Sequence, residues 1–317
     1  MRSITSPIAW LDQVPLSRDL VGGKGASLSE LMALGAAVPP AFAVTAPTCE
    51  AFLASLGFAG HASVVPTLLP ALREQILTAP LPAGLVTALG EGLAALQARA
   101  GAGSAVAVRS SATTEDGSEY SSAGQHDTIL GVRTLPELET AVRQCWASLW
   151  SDRAMAYRQA AAPGAEPCMA VVVQQLIPSD VSFIAFTEDP VGQRPGHVVI
   201  SAAWGLGEAL VAGLVTPDQV VVAPDGRVAE YVVGDKHLMV IPDVQGRGTR
   251  EAPVPRLMRT QPALSAEQAV EIAGVARALA TRLGYAADLE GAIANDAIML
   301  FQARPITTLD DLALTGD

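Results

Sequence analysis

The sequence predicts an α+β fold in two lobes, an α-rich lobe over residues 1–168 and a β-rich lobe over residues 169–317. Three observations support this prediction. Apolar residues recur at helical spacing in the first half, β-rich runs recur at short intervals in the second, and half of the 317 residues are hydrophobic. A cleft between two such lobes is a common place for a ligand.

The first lobe begins with a predicted helix over residues 22–35, which opens on glycines, carries apolar side chains on one face and stops at Gly35. The elements that follow are a strand at 42–45, helices at 48–56, 66–77 and 82–100, a buried strand at 105–108, a polar loop at 112–126 and a helical region at 136–160. Most of this lobe is therefore expected to be helical scaffold.

The second lobe is expected to consist mainly of strands. The β-rich runs are 171–173, 183–186, 198–200, 220–222 and 231–233, and two last strands are predicted at 286–293 and 298–304. Proline and arginine mark residues 242–262 as a linker. Ser265 and Gln268 form a capping-box pattern before a helix over 266–283, and Gly284 ends that helix.

Composition limits the function classes. The formal charge is −12 and no lysine- or arginine-rich run occurs, which argues against a nucleic-acid partner. Three cysteines without a C-x-x-C pair and four histidines without ligand spacing predict neither a disulfide framework nor structural zinc. The sequence shows no signal-peptide pattern and no apolar stretch of roughly 20 residues. We therefore expect a soluble, cytoplasmic protein without a membrane partner.

Lysine is scarce in this chain. Of 20 lysines and arginines, two are lysines, Lys24 and Lys236, which leaves 18 arginines. Lys24 lies among the glycines of residues 22–25, and glycines let a backbone approach a ligand that a compact ammonium can bind. This combination is typical of a polyphosphate site, although Arg18 stands where a Walker A loop needs glycine. The alternative is that both lysines are remnants of a compositional bias.

Arg109 ends the predicted buried strand and is followed by Ser110, Ser111 and a hydroxyl-rich, glycine-containing loop. An arginine in this position is suited either to clamp a phosphate or to anchor a structural ion pair. Another glycine-rich stretch covers residues 204–210, where the simpler interpretation is a turn that joins strands.

The last two strands place four polar side chains on one face. Strand alternation puts Asp288 and Glu290 together, and likewise Gln302 and Arg304. A connection that turns about Asp296 would set Glu290 opposite Gln302 and Asp288 opposite Arg304. Carboxylate and amide oxygens in this arrangement suit Mg²⁺, while the alternative is a salt-bridged surface hairpin.

Taken together, these stretches resemble the N-terminal, ATP-grasp nucleotide-binding region of the phosphoenolpyruvate synthase and pyruvate phosphate dikinase family, which rifampin phosphotransferases share. The matching stretches follow the family's order and cover nearly the whole chain. They are residues 21–28, 108–113 with 123–125, 173–176, 204–208 with 216–218, and 288–290 with 302–305.

The resemblance implies an ATP-grasp fold with the nucleotide in the cleft between the lobes, and ATP and Mg²⁺ as cofactors. It implies that Lys24 and Arg109 hold the ATP phosphates and act as catalytic cations. Gly124 and Thr128 would contact the phosphates from the loop that lies over them.

The same resemblance assigns the other site residues. Gln174 and the backbone near Leu176 would recognise adenine. Glu290 and Gln302 would hold Mg²⁺ together with ribose or phosphate oxygens, and the catalytic Arg304 would contact the transferring phosphate. Lys236 falls where the family often carries a basic residue, and its role stays open.

The implied function is that of an ATP-dependent phosphotransferase of the dikinase type. It would pass a phosphoryl or pyrophosphoryl group from Mg-ATP to a histidine on a separate partner protein or to a small molecule. Full-length family members continue into a domain with a phosphorylated histidine, whereas this sequence ends at Asp317 without one, so we expect a separate acceptor. Two alternatives stay open, because fold alone does not set function: a non-catalytic ATP-binding subunit, and an ATP-grasp ligase that forms an acyl phosphate.

Overall fold

A computed structural model of the chain divides it into two compact units. The first unit contains Met1–Ala33, Pro39–Leu176 and Gly246–Gly248, and the second contains Leu34–Val38, Ile177–Gln245 and Thr249–Asp317. The structure describes residues 6–13, 15–58, 69–101, 103–113, 128–151, 154–155, 168–243 and 248–306. Both units mix helices with antiparallel sheet, so the predicted α+β class is confirmed.

The described elements of the first unit are helices and short strands. They are β1 (Ile8–Trp10), α1 (Arg18–Ala33), β2 (Ala41–Val44), α2 (Ala46–Ser55), α3 (Leu69–Thr78), α4 (Ala83–Ala100), β3 (Val106–Ala112), β4 (Thr128–Val132), α5 (Leu135–Ser148) and β5 (Met169–Gln175). The strands form one antiparallel sheet in the order β1-β2-β5-β3-β4.

One face of the first sheet forms the hydrophobic core of this unit. Val108 of β3 pairs with Val173 of β5, which pairs with Phe42 of β2, and all three are buried in the same apolar cluster as Trp146 of α5. The opposite face carries small and polar side chains and packs against α1, where Gly25 lies close to Val172. The alternation of β3 therefore directs Val106 and Val108 into the core and Arg109 and Ser111 towards the face that α1 covers.

Strand β5 belongs to the sheet of the first unit. The sequence division at 168/169 assigned residues 169–175 to the second lobe, whereas the structural units separate after Leu176. A run of valines identifies a strand but carries no information about which sheet it joins. That choice depends on pairing with β2 and β3, which lie far away in the chain.

The second unit is built on a six-stranded antiparallel sheet. Its described elements are β6 (Val181–Phe186), β7 (Val198–Trp204), α6 (Glu208–Val211), β8 (Asp218–Val222), β9 (Val228–Val232), β10 (Leu238–Pro242), β11 (Thr249–Pro253), α7 (Ala266–Leu283), β12 (Ala287–Ala294) and β13 (Ala297–Pro305). The large sheet has the order β13-β12-β6-β7-β8-β9, and β10 pairs separately with β11.

Helix α7 follows the sequence prediction closely. Ser265 accepts a hydrogen bond from the Gln268 N–H, the Gln268 side chain accepts from the Ser265 N–H, and Gly284 adopts a left-handed conformation at the end. These local contacts satisfy backbone groups that a helix end otherwise leaves without partners. Arg277 on the helix donates to the carbonyl of Val222 and so anchors α7 to strand β8.

The predicted linker over 242–262 is partly wrong. Leu238–Pro242 and Thr249–Pro253 form an antiparallel pair, in which Met239 lies opposite Ala252 and Ile241 opposite Arg250. Proline and arginine are compatible with this pair because both strands are edges of a two-stranded sheet, where a missing N–H or an exposed charge costs little.

Among the described helices, none by itself combines the length and the apolar character of a membrane span. The pair α3 and α4 passes that test only together and across a bend of 65°. Both helices contribute buried leucines to the core of the first unit, including Leu72, Leu89 and Leu96.

Candidate functional site

The glycine loop interrupts helix α1 at one residue. Gly22 has φ 71° and ψ 179°, a combination that is open almost only to glycine. A Cβ at this position would lie 2.0 Å from the Ser111 carbonyl oxygen, so the loop lies directly against strand β3. Residues from Gly23 onward are helical, which places Lys24 in the first turn of a helix, as the glycine-opened helix of the sequence prediction requires.

Ser111 ties this loop to the strand. Its hydroxyl donates to the Val21 carbonyl oxygen at 2.8 Å and accepts from the Gly25 N–H at 3.1 Å. Arg109 lies two residues earlier on β3 and therefore projects from the same face of the sheet as Ser111. The backbone around Lys24 and the strand that carries Arg109 are thus held together within the first unit.

Three predicted site residues lie on or beside this face. Arg109 pairs in register with Thr128 of β4 on one side and with Val172 of β5 on the other. Gln174 follows Val172 by two residues and so shares the face. The structure therefore brings Arg109, Thr128 and Gln174 onto one surface of the first sheet, which α1 partly covers.

The residues proposed for adenine already make contacts within the protein. Gln174 is 2% exposed, and its side-chain amide donates to the Pro39 carbonyl oxygen at 3.3 Å. The Leu176 N–H donates to the Ala105 carbonyl oxygen at 3.0 Å. A ligand contact by the Leu176 backbone would therefore have to use its carbonyl oxygen. Gly124, proposed for the phosphate loop, lies outside the described residues.

In the second unit, the predicted pairing of the last two strands is confirmed. Glu290 lies opposite Gln302, and Asp288 lies opposite Arg304. The turn itself is at Asn295 and Asp296, which both have positive φ.

A bulge is needed for this register. From the turn to the pair of Gly291 and Leu300 the strands match residue by residue, and the register then shifts so that Phe301 is left over. Without this extra residue, Glu290 would lie opposite Phe301 instead of Gln302. The bulge therefore brings the carboxylate and the amide onto one face, in keeping with the tendency of bulges to redirect side chains at functional sites.

Arg304 forms an ion pair with its cross-strand neighbour. Its Nε and Nη2 atoms both lie 2.7 Å from Asp288 Oδ2, and the Asp288 side chain is nearly buried. The guanidinium is therefore oriented by the protein before any ligand binds. The ion pair of Arg304 and Asp288 is compatible with both interpretations of the sequence. A salt-bridged surface hairpin would contain it, and so would a site in which Asp288 orients Arg304 towards a phosphate.

The donor atoms on this face suit a hard cation. Glu290 is half-buried and supplies a carboxylate, and Gln302, 6% exposed, supplies an amide oxygen. Among the described residues, no group of three or more His, Cys, Asp or Glu side chains could enclose a metal ion by itself. Two oxygen donors fit the usual manner of Mg²⁺, which takes one or two protein ligands and completes its shell with water and substrate phosphates.

Lys236, the second lysine of the sequence, is fully buried in the second unit. Its ammonium group pairs with Asp218 and also donates to the Gly234 carbonyl oxygen at 3.0 Å. Gly234 itself passes so close to Thr216 that a Cβ would lie 2.3 Å from the Thr216 carbonyl oxygen. Lys236 is therefore engaged inside the protein, where a ligand has no access to it.

Asp218 is the centre of this buried network. Its carboxylate accepts from the Gly234 N–H at 2.9 Å, from the Ala263 N–H at 2.6 Å and from the Tyr231 hydroxyl at 3.2 Å. Desolvation of the hydroxyl and, to a lesser degree, the nearby negative charge of Asp218 raise the pKa of Tyr231 to about 12. The network joins strands β8 and β9 to the segment that precedes helix α7.

Within the glycine-rich stretch at 204–210, residues 205–207 form a turn between β7 and α6, in agreement with the simpler interpretation. Gly205 has φ 80°, and a Cβ there would lie 2.4 Å from the Val240 carbonyl oxygen. Glu208 accepts a hydrogen bond from the Thr249 hydroxyl at 2.7 Å, which connects α6 to β11. The stretch therefore joins β7 to α6 and supports the small β10–β11 sheet.

Comparisons with known proteins identify the family of the chain. The family described as "Pyruvate phosphate dikinase, AMP/ATP-binding domain" matches residues 18–314, nearly the whole chain. The chain therefore belongs to the AMP/ATP-binding domain family of pyruvate phosphate dikinase, and the resemblance drawn from its motifs is confirmed.

Several curated relatives share the region. The chain is 39% identical over 290 residues to the prodigiosin synthesizing transferase PigC of Serratia marcescens, covering 91% of this chain and 32% of that protein. It is 37% identical over 303 residues to a rifampicin phosphotransferase of Streptomyces sp., covering 91% and 34%. It is 34% identical over 307 residues to a probable phosphoenolpyruvate synthase of Methanothermobacter thermautotrophicus, covering 92% and 44%. The chain thus spans between 32% and 44% of the length of these relatives.

Among solved structures, D-alanyl-alanine synthetase A of Vibrio cholerae is similar with a TM-score of 0.32 and 10% identity, covering 93% of this chain and 62% of that chain.

Proposed function

We propose that this chain is the ATP-binding part of an ATP-dependent phosphotransferase. It would pass a phosphoryl or pyrophosphoryl group from ATP to a histidine on a separate protein or to a small molecule. Membership of an AMP/ATP-binding domain family supports nucleotide binding, and relatives named as a rifampicin phosphotransferase and a phosphoenolpyruvate synthase support group transfer.

One observation supports the proposal above all: the start of the helix that contains Lys24 packs against β3, the strand that contains Arg109. The first N–H groups of a helix and its dipole favour anions, and glycines allow a phosphate to come close to the backbone. Lys24 adds a point charge at that helix start, and Arg109 adds a second cation on the neighbouring strand. In a protein of net charge −12, an anionic ligand needs such local cations.

The proposed roles in the first unit follow from these positions. Lys24 and Arg109 bind the ATP phosphates and offset their negative charge, and Gly124 and Thr128 contribute phosphate contacts. Gln174 and the carbonyl of Leu176 recognise the adenine ring, which needs both a donor and an acceptor.

The proposed roles in the second unit follow from the hairpin of β12 and β13. Glu290 and Gln302 would hold Mg²⁺, which offsets charge on the phosphate oxygens when bound. Arg304 contacts the transferring phosphate, and Asp288 keeps its guanidinium oriented. Phosphoryl transfer depends mainly on positioning and on electrostatic stabilisation, so no nucleophilic side chain of this chain is required. The ATP-grasp assignment, the division into an α-rich and a β-rich lobe and the cytoplasmic location stay predictions.

The test measures ATP binding by calorimetry and analyses products after incubation with β- and γ-labelled ATP and Mg²⁺. Arg304→Lys is the informative variant, because it keeps a cation beside Asp288 while it removes the planar fork. We expect Arg304→Lys to bind ATP within about threefold of the wild type, a difference under 1 kcal/mol, and to lose group transfer to a supplied acceptor.

The product distinguishes the mechanisms. AMP together with phosphate indicates dikinase chemistry, whereas ADP indicates a kinase or a ligase that forms an acyl phosphate. ATP binding without turnover in the presence of any acceptor indicates a binding subunit. A wild-type chain that does not bind ATP at millimolar concentration would contradict the proposal.

A further inference from the structure

We propose that Ser111 is the positioning residue of the phosphate site, because its hydroxyl caps the Lys24 helix from a strand distant in sequence. This inference rests on the proposed function of Lys24. It concerns a residue that touches neither nucleotide nor reacting atoms and acts through the backbone on either side of Lys24.

The helix start lacks the usual local cap. Gly22 occupies the position just before the helix, where serine, threonine, aspartate or asparagine commonly bonds to an N–H of the first turn. The close approach to Ser111 excludes any side chain at Gly22, since a Cβ there would lie within 2.0 Å of a backbone oxygen. Because position 22 has to be glycine, the loop cannot supply a capping side chain there.

Ser111 supplies the missing group from β3. If Gly22 is taken as the capping position, Gly25 is the third residue of the helix. A capping oxygen usually accepts a hydrogen bond from the N–H of the second or third residue. Ser111 Oγ accepts from that N–H at 3.1 Å, although the two residues are 86 positions apart. The fully buried Ser111 hydroxyl therefore caps the helix from a distant part of the same chain.

The second bond of the same hydroxyl fixes the other side of the loop. Ser111 Oγ donates to the Val21 carbonyl oxygen at 2.8 Å, so one oxygen is bonded to the residues before and after the Gly22–Lys24 segment. Because Arg109 lies on the same strand and the same face, movement of Ser111 would change the spacing of the two phosphate-binding cations.

The experiment compares the affinities of the full chain for ATP and for adenosine, which has no phosphate. We expect Ser111→Ala to bind ATP at least tenfold more weakly and adenosine within twofold of the wild type. Ser110→Ala is the matched control, because this neighbouring buried serine projects from the opposite face of β3 and should change neither affinity. Equal losses for ATP and adenosine would show a merely structural role and overturn the assignment, as would an unchanged ATP affinity.

A double substitution tests whether Ser111 acts through Lys24. In a Lys24→Met background, Ser111→Ala should weaken ATP binding by less than twofold, because the ammonium that it positions is gone. A full additional loss of tenfold would overturn the inference. Wild-type ATP affinity in Lys24→Met alone would instead contradict the proposed function.

Two further measurements keep the test decisive if Ser111→Ala folds poorly. Ser111→Cys keeps a weaker donor and acceptor, so it should lose ATP affinity selectively and by less than Ser111→Ala; an equal loss for adenosine would overturn the role. The hydrogen-exchange rate of the Gly25 amide reports on the capping hydrogen bond in the absence of nucleotide. It should be slow in the wild type and at least tenfold faster in the Ser111 variants, and an unchanged rate would refute the cap.

Discussion

The two lysines of this chain have opposite environments. Lys24 is half-buried at the start of a helix that glycine opens, and the backbone around it is fixed by a serine. Lys236 is fully buried, and its charge is matched by Asp218 within the same unit. Scarcity in the composition singles out both residues equally. The surroundings separate a lysine suited to a ligand from one that organises the protein.

The difference shows where each charge acts. A fully buried ammonium requires a partner, because desolvation of an unpaired charge is costly. Asp218 meets this requirement for Lys236 and also bonds to the backbone of Gly234 and Ala263. Lys24 lies instead in the first turn of a helix, where the helix dipole favours an incoming anion.

The largest effect is expected for Lys236→Met. The substitution leaves the buried Asp218 carboxylate without its countercharge, and breaking such a pair typically costs about 3–5 kcal/mol. Urea denaturation should show a fall in unfolding free energy of this size. The double variant Lys236→Met with Asp218→Asn should recover part of the loss, and a fall of under about 1 kcal/mol in the single variant would refute the structural role.

Lys24→Met should produce the reverse pattern. Loss of a charged phosphate contact is expected to weaken ATP binding by about 1.5–3 kcal/mol, which is a factor of roughly 10 to 150. The unfolding free energy should change by less than about 1 kcal/mol, because Lys24, unlike Lys236, is only half-buried. Lys24→Arg keeps the charge but not its compact shape, so an intermediate affinity is expected. A large loss of stability in Lys24→Met would remove the contrast between the two lysines.

The smallest effect is expected for Tyr231 in the Lys236 network. The pKa of Tyr231 is raised to about 12 in the folded protein, above the value of about 10 expected when the chain is unfolded. The unfolded chain therefore loses this proton first, and its contribution to stability, complete below pH 10, falls as the pH rises towards 12. Urea denaturation at pH 9 and pH 11 should show a smaller loss of stability for Tyr231→Phe than for the wild type. The same pH dependence in both proteins would contradict the contribution of Tyr231.

Local patterns allowed much of the fold to be predicted. The capping box at Ser265 and the left-handed Gly284 fixed both ends of helix α7 to the residue, because each signal lies within one turn of the helix end. The hairpin of β12 and β13 was also predicted with the correct pairs at Glu290 and Asp288. The turn was predicted to centre on Asp296, whereas it centres between Asn295 and Asp296. The bulge at Phe301 compensates for this difference, so the predicted pairs are still formed.

Contacts between distant parts of the chain could not be predicted in this way. No local spacing relates Ser111 to Val21 and Gly25, which lie 86 to 90 residues away. The β10–β11 pair was missed because its prolines indicated a linker, although proline is also compatible with the edge strands of a small sheet. Lys236 was recognised as unusual, but its burial against Asp218 depends on the folded packing of β8 and β9.

The most direct test of the central claim is a crystal structure of the chain with Mg²⁺ and a non-hydrolysable ATP analogue. We expect triphosphate oxygens at about 3 Å from Lys24 Nζ and from the Arg109 guanidinium, with Lys236 still bound to Asp218. A triphosphate bound away from both Lys24 and Arg109 would contradict the account.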